Sequence, residues 1–233
     1  MPFLNLKKLI AVIIIIVCAA TMMMLGFWQL DRMEQKQRRL DSIAQKQAEE
    51  TLDITDAVKF TDPRDVRIRM TGTPDTDAVL LLDNQIVDGR PGYDVLVPVM
   101  TNVGWVLANF GWVAGSPYRD QLPEVVLPTA MQQFTGVLTK PTENPMVRET
   151  VATADTFPLV IQKIDSAHVS TLLKRSVLPY VVVLTEQSDA FIRRWEPVVM
   201  PPEKHLAYAV QWFALAGAAL LIAFFAGVRR KSP

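Results

Sequence analysis

Residues 205–228 read HLAYAVQWFALAGAALLIAFFAGV, and Arg229, Arg230 and Lys231 follow at once. From Tyr208 to Val228 no residue carries a charge. A helix of that length, at about 1.5 Å per residue, crosses a hydrocarbon core of about 30 Å. Tyr208 and Trp212 fall near one interface and the basic triplet beyond the other. Ala209, Trp212, Ala216, Ala219, Ala223 and Ala226 recur at steps of three and four, and small residues at that spacing let a second helix approach closely. His205 stands at the entrance of the same face. The stretch predicts a membrane span with a polar residue at its mouth and one side shaped for a neighbour.

A partner for it lies at the other end of the chain. Leu9–Trp28 is uncharged, with Lys7 and Lys8 before it and Asp31 and Arg32 after it. Its apolar run continues through Met22, Met23, Met24 and Leu25, longer than the core of a cleaved signal peptide, so it reads as a retained span. Val17 precedes Cys18 where a lipoprotein signal would have a small residue. Cys18 is the only cysteine, which excludes an intramolecular disulfide and any Cys-x-x-Cys metal or redox site.

The two tails carry five Lys/Arg and no acids, whereas the segment between the spans holds 19 Lys/Arg against all 24 Asp and Glu, a net charge of −5. The positive-inside rule therefore favours cytoplasmic tails and a translocated middle, although Arg32, Lys36, Arg38 and Arg39 vote the other way. The expected organisation is a cytoplasmic tail over residues 1–8, transmembrane helix 1 over 9–28 and a periplasmic domain over 29–204 led by a helix over about 29–50. Transmembrane helix 2 over 205–228 and a cytoplasmic tail over 229–233 complete it. The localisation implied is the bacterial inner membrane.

Within the middle segment, Gln29–Glu50 lacks Gly and Pro and is rich in helix formers. Leu30, Met33, Leu40, Ile43 and Ala44 fall near one stripe. The period then changes to two: Val66, Ile68 and Met70 alternate with Arg67, Arg69 and Thr71, the pattern of a half-buried strand. Further strands are expected at Ala78–Gln85, Tyr93–Met100, Trp105–Asn109 with Gly111–Val113 continuing or bending it, Phe134–Leu138, Leu159–Ile164, Tyr180–Thr185 and Phe191–Trp195. Pro98 marks an edge or a bulge. Asp165 or Ser166 caps a short helix that carries Val169, Leu172 and Leu173. Short strands separated by turn signals predict the fold class: an α+β membrane protein in which two transmembrane helices flank a mostly antiparallel, β-rich extracytoplasmic domain, a small barrel or sandwich.

Five marks along the chain resemble the SURF1 family of cytochrome oxidase assembly factors. The first is Gly26-Phe27-Trp28-Gln29-Leu30-Asp31-Arg32 with Lys36 beyond, matching the family's Gly-x-Trp-Gln-x-x-Arg where its first span ends. The second is Asp83-Asn84-Gln85 followed by Gly92-Tyr93-Asp94-Val95-Leu96-Val97-Pro98. The third is Val106-Leu107-Ala108-Asn109-Phe110-Gly111-Trp112-Val113. The fourth is Gly136 with Pro141, and the fifth is His205-Leu206-Ala207-Tyr208-Ala209-Val210-Gln211-Trp212-Phe213. Two positions depart from the pattern: Phe110 stands where the family usually has Arg, and Lys204 where Asn often precedes the histidine.

The resemblance implies an accessory protein for biogenesis of a haem-copper terminal oxidase, and bacterial members that bind haem a and supply it to, or stabilise it in, subunit I. The implied partners are the lipid bilayer, oxidase subunit I and the haem a synthesis machinery; no nucleic acid is implied. A haem site needs an axial ligand, an apolar slot and cations for the propionates. His205 is the candidate ligand to the iron. Tyr208 and Trp212 are expected one and two turns along the same face, and Trp28 and Arg32, with Lys36, stand where the first span ends. The ordinary alternatives are a polar cap for His205 and interfacial anchoring for Trp28 and Arg32. His168 reads as an ordinary surface histidine. No Gly-x-Ser-x-Gly, phosphate loop or His/Cys/carboxylate cluster is present, so an enzyme is not expected. The rival is a membrane-tethered extracytoplasmic adaptor that binds protein partners without a cofactor.

Overall fold

The computed structural model describes residues 6–48, 50–118, 121–141, 156–195 and 200–229. Its elements in order are α1 (Leu6–Ala48), β1 (Leu52–Asp53), α2 (Ile54–Ala57), β2 (Val66–Pro74), β3 (Leu80–Val87), β4 (Arg90–Thr101), β5 (Gly104–Ala114), β6 (Gln132–Thr139), β7 (Leu159–Ile161), α3 (Ser166–Leu172), β8 (Val177–Leu184) and α4 (Pro202–Arg229). The chain divides into two units, Met1–Ser42 with Pro197–Pro233, and Ile43–Glu196.

The first unit is built from the two terminal helices. Gly26 is the only glycine in α1 and no proline interrupts it, so the helix runs unbroken through residue 28, the expected end of the span. Beyond that point it is held by pairs one turn apart: Gln35 donates to Asp31 (2.7 Å), Arg38 pairs with Glu34 (2.5 Å) and Gln37 donates to Asp41 (2.9 Å). Such pairs contribute about 0.2–0.5 kcal/mol each. Proline at the first position of α4 has the φ a helix start needs and no N–H to leave unpaired. Both helices are long and apolar enough to cross a membrane. Ile13, Ile14, Ile16, Val17 and Met24 on α1, and Leu221, Ile222, Phe224 and Phe225 on α4, are all exposed.

The second unit is one mixed eight-stranded sheet in the order β1-β2-β6-β8-β5-β4-β3-β7, with β2 also pairing with β4. The sequence predicts a mostly antiparallel barrel or sandwich. Among the described residues, five of the eight pairings are antiparallel, but three are parallel: β1 with β2, β3 with β7 and β5 with β8. A period of two reports which side chains share a face, not the direction of the neighbouring strand, so this was not legible. The pairings β2–β6–β8–β5–β4 return to β2 through Gly72–Pro74 and Val99–Thr101. Alternate residues feed two apolar clusters. Ile68, Met70, Leu81, Val95, Val97, Ala108, Phe110 and Val182 enter one; Leu80, Leu96, Leu107 and Val181 enter the other, which α3 covers with Val169, Leu172 and Leu173. Burial on both faces explains why β4 and β5 read as nearly continuous apolar runs.

Several local expectations hold with shifted ends. Asp165 caps α3, accepting from the N–H of Ala167 and His168. The strand expected at Phe191–Trp195 reduces to a single bridge between Trp112 and Ile192, and β1 and α2 were missed because they are too short to show a period. Pro98 sits where β4 exchanges one neighbour, β3, for another, β2. Its carbonyl accepts from Asp75 N–H (2.8 Å) on that side, so its missing N–H faces the junction rather than a ladder bond. The family mark Asp83-Asn84-Gln85 is the irregularity of β3, with Asn84 at φ 61°, a left-handed conformation Asn tolerates. In β5, Gly111 takes φ 121° where the register shifts past Phe110.

Asp94 on β4 is half-buried and accepts from the side-chain amide of Asn109 (3.0 Å). Burial holds its pKa above the ordinary carboxylate value of 3.8, against the hydrogen bond from Asn109 and the charge of Arg194. A carboxyl raised on folding favours the folded state at low pH, and that contribution is lost as pH rises through the folded pKa. Asp94→Asn is therefore expected to melt above wild type at neutral pH, with the gap closing as pH falls toward 4. Thermal denaturation across that range checks it; a gap that widens on acidification contradicts it.

Candidate functional site

The small-residue face of α4 is the face that the helix pair buries. Ala209 is 0% and Ala216 1% exposed, Trp212, Ala219 and Ala223 are partly buried, and on α1 Ala19 is 4% exposed. Close approach is set by Gly26, where an added Cβ would stand 2.5 Å from Cε1 of the Phe213 ring. Phe213 also meets Phe27 edge-to-face with ring centroids 5.2 Å apart.

His205, at the start of this face, is buried at 7% exposure. Its Nδ1 lies 2.7 Å from Oε1 of Gln29. An amide oxygen only accepts, so Nδ1 is the donor in this contact, which in a neutral ring leaves the lone pair on Nε2. Nε2 is itself buried and has no hydrogen-bond partner. A buried polar atom without a partner is uncommon and asks for an explanation. A ring whose one nitrogen is held by an acceptor while the other presents a lone pair is the arrangement a metal-ligating histidine adopts. His168 Nε2 in α3 is likewise buried and unpartnered, beside the apolar residues Val169 and Leu172.

The other expected residues divide. Arg32 places its guanidinium 5.5 Å from the centroid of the Trp28 ring and donates to Oε1 of Gln35 (2.9 Å). Both partners are neutral, and among the described residues no carboxylate pairs with it. Trp28 is 48% exposed and Tyr208 45% exposed. Trp212 is partly buried. Among the described residues no hydrogen bond or ring contact joins Tyr208 or Trp212 to His205. The structure thus brings together His205 with Gln29, and Arg32 with Trp28. The sequence alone does not pair Gln29 with His205. Its signal was present: an uncharged polar side chain in the last turn of an apolar run needs a partner, and an imidazole opposite can supply one.

Among the described residues no group of three or more His, Cys, Asp or Glu could hold a metal ion. A bare ion wants three or four protein donors, whereas haem iron brings four macrocycle nitrogens and needs one or two more. Among the described residues the donor set is one available imidazole nitrogen and one cation without a carboxylate partner, which is compatible with a haem.

A comparison with curated proteins finds no match. The SURF1 family model matches residues 16–217. The matched stretch takes in the Gln29–His205 pair and the whole sheet, and it covers most of the sequence; the chain belongs to the SURF1 family.

Proposed function

We propose that this protein is an accessory factor in the assembly of a haem-copper terminal oxidase, anchored by two spans in the bacterial inner membrane, and that it assists delivery of haem a to subunit I or its stabilisation there. The family is known for cytochrome oxidase assembly. The observation that carries the haem reading is the His205 ring, tied at Nδ1 by Gln29 and unpartnered at Nε2. His205 would hold the iron. Gln29 fixes the tautomer and the ring plane, so little orientational freedom is lost on ligation. Arg32, its guanidinium over the Trp28 ring, would meet a propionate. Tyr208 and Trp212 would supply aromatic surface at the interface. Haem a, when bound, is the cargo and supplies the redox iron that the oxidase uses.

A specific observation favours the second reading, a membrane-tethered adaptor without a cofactor. Nε2 is enclosed, so side chains of the helix pair must part to admit a macrocycle. Full-length protein purified from its own membranes in mild detergent decides between them. A Soret band together with co-purified subunit I is the expected result, and subunit I without any haem absorbance would leave the adaptor.

Two further outcomes are expected. Gln29→Leu leaves Nδ1 without its acceptor and frees the ring, and loss of such a supporting bond typically weakens metal binding by about 10–100-fold. Haem retention of this variant after gel filtration measures it, and retention equal to wild type would exclude a positioning role for Gln29. For topology, protease added to spheroplasts should cleave the segment between the helices and leave both tails protected, as the basic tails and acidic middle require. A protected middle segment contradicts the orientation.

A further inference from the structure

A cavity of about 530 Å³ lies wholly within the sheet domain, lined by Arg67, Arg193, Arg194, Thr135, Thr185 and Trp195 among others, with no acidic residue among the described residues of its lining. That volume is within the range of small-ligand sites. Arg67 belongs to the exposed row of β2, whose strand alternates buried and exposed residues, and pairs in register with Val137 of β6. Arg67 makes no hydrogen bond or ion pair among the described residues. Arg193 and Arg194 are held differently. Arg193 donates through Nε to Phe110 O (3.0 Å) and through a terminal nitrogen to Glu186 O (2.8 Å), and Arg194 donates to Ile86 O (3.2 Å). All three acceptors are neutral carbonyls. They fix the two guanidinium groups in place without cancelling their charge. The bridge between Trp112 and Ile192 secures the segment that carries them.

Burial lowers the pKa of Arg193, against the nearby Glu186, which marks a cation partly stripped of water without full compensation. Arg194 in turn lies within electrostatic reach of Asp94. Three arginines, threonines and a tryptophan lining one cavity suit an oxyanion, since the guanidinium fork matches the oxygens of phosphate and carboxylate. We infer that this cavity binds the phosphate or carboxylate group of a small ligand, with Arg67 closing on it from the β2 side and Arg193 and Arg194 pre-positioned opposite.

Such a group has two sources, a free anion or a lipid headgroup, and the test separates them. Full-length protein in neutral detergent at low ionic strength is titrated calorimetrically with inorganic pyrophosphate, with dihexanoyl phosphatidic acid and with dihexanoyl phosphatidylcholine. Saturable binding is expected with a Kd below about 1 mM for at least one of the first two. Pyrophosphate alone would identify a free anion, and tighter binding of phosphatidic acid a headgroup. Arg67→Gln, which removes an exposed and unpartnered side chain, should weaken binding by at least about fivefold through loss of a charge-assisted bond. Arg90→Gln, an exposed β4 arginine outside the cavity, should leave it unchanged. Absence of saturable binding, equal affinity in Arg67→Gln, or an equal loss in Arg90→Gln would overturn the inference.

Discussion

Membranes carrying His205→Ala are expected to retain the protein but to hold severalfold less active oxidase than wild type, with some activity left because the role is accessory. The reasoning runs through one atom. Nε2 is buried and has no partner in the helix pair, so removing it costs the pair nothing there. The bond to Gln29 is different: its loss leaves a half-buried amide oxygen unpaired, at about 1–3 kcal/mol when such a group is fully desolvated. His205→Gln controls for this, because its amide can still donate to Gln29 but carries no imidazole. Both variants should insert and leave the sheet domain folded, and both should lower oxidase activity alike. Full activity in His205→Gln alongside loss in His205→Ala would mean that the side chain serves helix packing and not iron.

The second large effect lies in the sheet domain. Phe110 is 1% exposed and stacks edge-to-face with Phe134 (5.6 Å) and Phe191 (6.0 Å). Truncation of such a side chain removes its transfer energy and leaves a cavity, so Phe110→Ala should lower stability by about 3–5 kcal/mol. Chemical denaturation should show a lower midpoint with an unchanged slope. A loss below about 1 kcal/mol would show that the core closes over the gap. The same burial accounts for the departure at this position: the side chain belongs to the core, and a cation placed there would sit among Phe134, Val182 and Phe191 without a partner. The neighbouring backbone carbonyl of Phe110 is what Arg193 binds, so a guanidinium does reach this bulge, from another part of the chain.

The two terminal helices were legible because length and apolarity suffice to read them, and the face at Ala209 and Ala216 was legible because small residues at helical spacing have few other uses. Val66, Ile68 and Met70 declared their strand through alternation with two arginines and a threonine. What could not be read depends on contacts distant in sequence. The parallel partnership of β5 and β8 involves residues such as Leu107 and Val181 that carry no mark of direction. Gln29 and His205 are 176 positions apart, and each alone reads as an interfacial polar residue. Tyr208, read as part of the haem surface on the face of His205, lies half-exposed on α4 instead, outside the buried stripe. Arg193 and Arg194 lie within the strand expected at Phe191–Trp195 and carry no mark of a site there; only the fold brings them with Arg67 to one cavity.

The measurement that bears most directly on the haem reading is the Soret absorbance per mole of full-length protein, wild type against His205→Gln, purified in parallel from membranes that make haem a. The account predicts a clear band in wild type and the loss of most of it, tenfold or so, in the variant, as expected when an axial ligand is removed. An identical band in both proteins would contradict ligation by His205.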